Sequence, residues 1–457
     1  MPNPPLVTPA PGRPLLLLGG FDIGALGYAA EEFFISGTAT SYTPTTELGR
    51  DGRWNVTPSG TAEYSTRMVV LTPTDPASFN GTVLVEWLNV SGGIDAPAVW
   101  MMAHREILRA GYAYVAVSAQ RVGVEGGASL LGADMSLKSQ HPQRYAALCH
   151  PGDEYSYDIF SQTCELVRTG TLGDLRVQHV VAVGESQSAM FLTTYVNAVD
   201  PIAQRYDGFL VHSRFGSAAP LDGTSIFDES QDGLPEAVAF RTDLRVPLVT
   251  IITETDLFGG PRDGYYSARQ PDNQCLRVWE IAGAAHADNY TIQVAPIDSG
   301  SASLDAIVAG YAPTNMLMGR QLGHYINFAA LNTWVRTGEP APTAPPIQVR
   351  EGDPPRPVLD PNGLARGGVR TPWVDVPIAR TSGLPGSGAD EQSIMAAIFG
   401  SGEPFDAPTL GQLYPGGAGQ YLDGFTAALD GAIQSGFILP VDRAEILQLA
   451  AATYPQN

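Results

Sequence analysis

Three side chains of this chain stand in an order, and in local settings, that suit nucleophilic chemistry. The first is Ser186, in the run Val-Val-Ala-Val-Gly-Glu-Ser-Gln-Ser at residues 180–188. An apolar, β-branched stretch leads there into Gly-x-Ser-x-Ser, and Ala189-Met190-Phe191-Leu192 reads on as a helix. Strand, tight turn and helix in that order lift a serine clear of both elements. The helix N-terminus beneath it favours developing negative charge. Gly184 relieves crowding before the turn. Ser188 stands where the usual pattern has a second Gly, and is small enough for the helix to approach the strand.

A serine hydroxyl needs a base to take its proton and a carboxylate to hold that base in one tautomer. On a strand–turn–helix serine the expected chain order is Ser, acid, His. Residues 246–252, Val-Pro-Leu-Val-Thr-Ile-Ile, end in Thr253-Glu254-Thr255-Asp256, which sets a carboxylate just past a strand. Asp256 has the usual offset and is the preferred acid, with the longer Glu254, nearer the strand end, as the alternative. Val278-Trp279-Glu280-Ile281 then leads into Ala282-Gly283-Ala284-Ala285-His286, a base in a small-residue loop. Asp288, close to it, is read as a loop cap.

Such a reaction also needs N–H groups aimed at a developing oxyanion. One is expected from Gln187, the residue after the nucleophile. The second is expected from the loop that opens after Val85-Glu86-Trp87-Leu88, with Val90 first and Asn89 or Ser91 as alternatives. Of the seven histidines, His104, His179 and His324 read as structural. His141, His150 and His212 fall in or beside strand-end loops and are candidates to line a pocket. No zinc spacing occurs among them.

The elements that must carry these groups alternate. Residues 32–42 and 64–72 resemble an antiparallel pair. Strands at 82–88, 112–118, 177–183, 208–212, 248–253 and 276–281 then interleave with helices at 96–110, 155–169 and 188–199. That alternation predicts an α/β fold whose mostly parallel sheet, of about eight strands, is flanked by helices. Residues 1–340 are expected to form the catalytic body, with inserted loops near 119–154 and 215–245. Residues 341–457 are expected to be a large, mainly helical or irregular C-terminal extension, packed on the body and able to add to a pocket or lid. Helices are expected there at 420–435 and 441–454, after one at 315–337.

Composition narrows the classes. The chain has 457 residues and a formal charge of −21, which leaves no basic surface for nucleic acid and opposes an anionic membrane. Lys138 is the one lysine, so Schiff-base chemistry has no supporting motif. Cys149, Cys164 and Cys275 form no metal-binding pattern, and no cofactor or metal is expected. The run Leu15 to Leu18 is too short for a signal core or membrane span, so the expected setting is cytoplasmic. Oligomeric state is open.

The chain resembles the α/β-hydrolase superfamily and, more narrowly, the family of alpha/beta hydrolase domain-containing proteins. The matching stretches are residues 85–93, 111–123 (GYAYVAVSAQRVG), 151–161 (PGDEYSYDIFS), 183–188, 253–256, 282–288 and 363–377 (GLARGGVRTPWVDVP). The resemblance implies Ser186 as nucleophile, His286 as base, and either acid of residues 253–256 as their partner. Ser188 departs from the superfamily pattern and suits the narrower family. Ester hydrolysis is the reaction the resemblance implies, on a small-molecule ester. Trp87, Tyr155, Phe215, Phe258, Tyr290 and Trp373 near strand ends or in the additions suggest an apolar or aromatic group. Acyl transfer by the same residues is one rival reading; an inert ligand-binding protein is another.

Overall fold

Nine strands join into one sheet in the order β1-β2-β3-β5-β4-β6-β7-β8-β9. They are β1 (Leu6–Pro9), β2 (Tyr28–Pro44), β3 (Val56–Pro73), β4 (Thr82–Trp87), β5 (Ala113–Val117), β6 (His179–Glu185), β7 (Gly208–His212), β8 (Leu248–Thr253) and β9 (Leu276–Ile281). The structure is a computed structural model. It describes residues 4–20, 22–130, 132–227, 233–260, 262–287, 325–386 and 394–455. From β5 to β9 all neighbours are parallel, whereas β1, β2, β3 and β5 pair antiparallel.

The chain steps from β4 outward to β5 on one side, then returns to place β6 on the other. That reversal opens a crevice beyond the carboxyl ends of β4 and β6, where open α/β sheets bind ligands. Ser186 follows β6 and the loop bearing Asn89 and Val90 follows β4, so both border the crevice.

β4, β5, β7 and β8 are buried along their whole length, as expected where helices cover both faces. Alternate residues serve opposite cores. Val83, Val85 and Trp87 join Phe160, Phe191 and Tyr206 on one face. Leu84 packs with Trp100, Ile107 and Trp279 on the other. Glu86, buried in the same strand, accepts from the N–H groups of Val99 (2.8 Å) and Trp100 (3.0 Å) and from Tyr114 Oη (2.6 Å). It therefore caps the helix Ala98–Arg109, whose own N-cap is a proline without a side-chain acceptor. Burial pushes this carboxyl up to about 8.

Chain beyond residue 340 shares the second core. Trp373, Phe425 and Ile446 belong to the same apolar cluster as Trp279 and Trp100. Trp373 meets Phe425 edge-on at 4.8 Å between ring centres. Arg105 pairs with Glu445 at 2.9 Å and Arg109 with Asp442 at 2.5 Å, and Ile281 bridges to Val369.

β7, β8 and β9 fall where the apolar runs place them. β2 and β3 extend well beyond residues 32–42 and 64–72. The added end of β3, residues 56–63, is polar and mostly exposed, so it lacks the apolar alternation that marks a strand. β1, a short Pro-ended edge strand, carries no such signal and adds a ninth strand to the eight expected. The helix expected at 188–199 runs Gln187–Thr194 and then widens into one π turn, Tyr195–Val199. The late helices are Tyr325–Thr337, Gly417–Gln434 and Arg443–Thr453; residues 315–324 lie outside the described residues.

A Cβ at Gly383 would run into Thr255 N and Ala284 O, both backbone atoms, whereas one at Gly411 would meet nothing within 4 Å. Gly383→Ala is expected to cost about 1–3 kcal/mol by overpacking. Denaturant melts should show that loss, with Gly411→Ala no less stable than the parent.

Candidate active site

Ser186 has φ 55° and ψ −115°, a strained backbone for a residue with a Cβ, costing about 1–3 kcal/mol. The surroundings hold it there. Ser186 N–H donates to His212 O at 3.0 Å, tying the turn to the end of β7. The Ser188 hydroxyl accepts from Glu185 N and donates to Glu185 O, both at 2.9 Å. Ser188 is thus a clamp on the turn that a glycine could not supply. A Cβ on Gly184 would lie 2.8 Å from Leu192 Cδ1, which explains the glycine before it.

The structure brings Ser186, His286 and Asp256 together. Ser186 Oγ lies 2.9 Å from His286 Nε2, and His286 Nδ1 lies 2.6 Å from Asp256 Oδ1. Asp256 Oδ2 accepts from Thr253 N and Thr253 Oγ1, both at 2.8 Å. Asp256 is fully buried, and Thr253 in turn caps its helix, Glu254–Phe258. Burial alone would lower the His286 pKa; Asp256, then Glu185, outweigh it and raise it to about 9.

Glu254 is drawn elsewhere. Its carboxylate accepts from Gly283 N at 2.5 Å, from Ser382 Oγ at 2.9 Å and from Gly383 N at 2.9 Å. It joins the loop that carries His286 to chain beyond residue 380. Thr255 does likewise: its Oγ accepts from His286 N at 3.1 Å and donates to Gly383 O at 2.6 Å. Ala287 N donates to Ile398 O at 2.9 Å. Asp288 and Tyr290 lie outside the described residues.

The loop after β4 departs from expectation. Val90 N–H, expected to be free for an oxyanion, donates to Gln187 Oε1 at 3.1 Å. The Gln187 amide is fixed from its other end, where Nε2 donates to Gln120 Oε1 at 2.8 Å; that oxygen also accepts from Trp87 Nε1 at 3.1 Å. An acceptor oxygen there leaves Gln187 Oε1 to face Val90. The alternatives are engaged as well: Ser91 N donates to Asn89 Oδ1 at 2.8 Å and Asn89 N to Ala96 O at 3.0 Å. An incoming oxyanion must share or displace the Gln187 oxygen. The Gln187 N–H, first in its helix, has no intrahelical acceptor.

Two groups beside His286 and Gln187 are not predicted by the sequence pattern. Glu185 Oε1 lies 3.6 Å from His286 Nε2, and Gln120 anchors Gln187. An acid immediately before the serine, at the end of a buried strand, was the available signal for the first. Gln120 has none, since its role depends on β5 lying beside β4.

Among the other candidates, His212 contributes its carbonyl to the turn. His150 is buried, with Nε2 2.8 Å from Ala119 O, and His141 lines a separate cleft with Arg13 and Leu17. His104 is buried in its helix beside Trp100 O, and His324 lies outside the described residues. Phe215 faces the His286 ring at 5.3 Å. Phe258 lines a 1040 Å³ cleft with Tyr266 and Arg262. Trp87 and Trp373 are core residues. Among the described residues no group of three or more His, Cys, Asp or Glu could hold a metal ion, and no helix is long and apolar enough to cross a membrane.

The switch in strand order, the strained serine turn after β6 and the acid and histidine after β8 and β9 define an α/β-hydrolase fold. The family described as "Alpha/beta hydrolase domain" matches residues 2–448, and the chain belongs to it. No curated protein matches the chain. Among solved structures it is similar to a glucuronoyl esterase from Solibacter usitatus, with 11% identity over 61% of this chain and 81% of that one and a TM-score of 0.33. It is also similar to acetyl xylan esterase 1 from Thermoanaerobacterium sp. JW/SL YS485, with 12% identity over 60% and 81% and a TM-score of 0.29. A third is a serine hydrolase without lid from Xanthomonas campestris, with 12% identity over 52% and 83% and a TM-score of 0.30.

The two acids should separate by experiment. Asp256→Asn is expected to lower kcat by about 10³-fold or more, because the wrong histidine tautomer then faces the serine. Glu254→Gln exchanges one acceptor oxygen for an NH2 donor, leaves at least the Gly283 N–H or the Gly383 N–H without an acceptor and should cost about 1–3 kcal/mol of stability, with kcat changed far less. Steady-state rates and denaturant melts on both variants check this; equal losses of kcat would contradict it.

Proposed function

We propose that the protein is a serine ester hydrolase acting through Ser186, His286 and Asp256. The observation that carries this reading is the unbroken hydrogen-bonded series from Ser186 Oγ through His286 to Asp256, at 2.9 and 2.6 Å, on a strained turn. In the first half-reaction His286 Nε2 takes the Ser186 proton as Oγ attacks the ester carbonyl carbon. The negative oxygen is received by Gln187 N–H and by the loop at residues 89–91, where Val90 N–H is released by Gln187 Oε1. His286 then gives its proton to the leaving alcohol, and an acyl group remains on Ser186. Water, deprotonated by the same nitrogen, attacks the acyl carbon, and the acid leaves as Ser186 recovers its proton. Each turnover consumes one ester and one water.

The substrate is proposed to be a small ester with an apolar or aromatic group, a reading supported by Phe215 against the face of His286. A fluorophosphonate probe should label Ser186 in the folded protein, and Ser186→Ala should lower kcat by roughly 10⁶-fold. A panel of esters varied in acyl length and alcohol bulk, with a competing alcohol added, reads both specificity and any acyl transfer. Failure of Ser186 to label in folded protein would overturn the proposal.

A further inference from the structure

His286 is approached by a carboxylate at each ring nitrogen. Asp256 meets Nδ1, and Glu185 Oε1 lies 3.6 Å from Nε2, the nitrogen that also faces Ser186 Oγ. Glu185 ends β6 and is buried, so the strand and not a mobile loop fixes its place. Its other oxygen accepts from Asn89 Nδ2 at 3.3 Å, and the same amide reaches Glu185 O at 3.1 Å. Among the described residues no Arg or Lys forms an ion pair with it. The titratable groups that act on it are His286 and Asp256, and Glu86 of β4 lies near enough to feel its charge.

We propose that Glu185 is a positioning residue that competes with Ser186 for the Nε2 proton of His286 and so sets the pH above which His286 can act as a base. The proposal rests on the reading of His286 as that base. A buried carboxylate without a cation beside it draws a proton toward itself or toward its nearest base. While Glu185 is ionised and His286 carries both ring protons, the Nε2–H faces Ser186 Oγ with the Glu185 charge 3.6 Å away, and no lone pair is left to accept the serine proton. Losing one proton from the pair frees Nε2. Moving that proton to Glu185 frees it too, with no change in the charge of the pair. Once His286 has taken the Ser186 proton, the Glu185 carboxylate steadies the imidazolium until it protonates the leaving alcohol.

The directions agree with this geometry. Burial, offset in part by His286, pushes Glu185 up to about 7, and His286, against the pull of burial, stands at about 9. Only the neutral imidazole is a base. A raised pKa therefore means that kcat/KM climbs with pH well past the ordinary histidine range, and the protein works best in alkali. Removing the Glu185 charge lowers the His286 pKa and moves the rise to lower pH.

The experiment is a pair of pH series on Glu185→Gln and Glu185→Asp beside the parent. In Glu185→Gln the acid limb of kcat/KM should move at least one pH unit lower, so that below the limb the variant keeps about tenfold more of its plateau rate. Its plateau kcat should fall while KM stays near that of the parent. Glu185→Asp, which keeps the charge, should return the acid limb toward its position in the parent. The His286 ring is followed in parallel by NMR titration of histidine-labelled protein, which needs no turnover. Its midpoint should fall in Glu185→Gln and recover in Glu185→Asp. An unchanged His286 titration in folded Glu185→Gln would overturn the proposal. If Glu185→Gln does not fold, Glu185→Ala takes its place, and an unchanged His286 titration in that folded variant would overturn it equally. A parent that neither labels nor turns over, but whose His286 shifts as described, would instead count against the hydrolase reading alone.

Discussion

The contact between Asp256 and His286 is the constraint to which the neighbouring structure answers. A carboxylate with no exposed surface loses its hydration, a cost of several kcal/mol unless hydrogen bonds replace the water. Two of the replacements come from Thr253, the last residue of β8, and the third is the imidazole itself. β8 must therefore end where it does, its helix must begin on Thr253, and the loop after β9 must bring His286 back across the strand end. Moving any of these leaves a buried charge without a partner.

Ser186 meets that contact from the other side, and the turn bearing it is held by groups from a strand, a helix and a loop. His212 of β7 accepts its N–H, Ser188 grips Glu185 from the following helix, and Asn89 beyond β4 reaches Glu185 O. The strain at Ser186 is thus offset by bonds between elements that lie together only because the strand order reverses at β4. The bond from Val90 to Gln187 belongs to the same set. It ties the loop after β4 to the turn that carries Ser186 and occupies the Val90 N–H.

Much of this was legible in the sequence, for identifiable reasons. β7, β8 and β9 are short apolar runs bounded by turn residues, and no other conformation buries them as well. The residue types at 186, 254, 256 and 286 announced their chemistry. The offset from the strand end favours Asp256 over Glu254 without excluding the latter, because both stand within reach of a histidine loop. What separates them is the attraction of Glu254 to Gly283 and Gly383, residues far along the chain. The occupation of Val90 was equally hidden, since it depends on Gln120 and Trp87 meeting across β5 and β4. The outer end of β3 escaped because its polar residues form a strand without an apolar alternation to mark it.

Chain beyond residue 340 answers a related need. Small residues such as Ala282 to Ala285 offer few side-chain contacts to hold the loop that carries His286, and a proposed site on a loop needs such support. The required contacts are supplied from a distance: Gly383 closes on Thr255 and Glu254, and Ile398 accepts from Ala287. Gly383 has no side chain because its backbone sits against Thr255 N and Ala284 O. Chain beyond residue 380 therefore holds the loop that carries His286 through hydrogen bonds to its backbone and to Glu254 and Thr255.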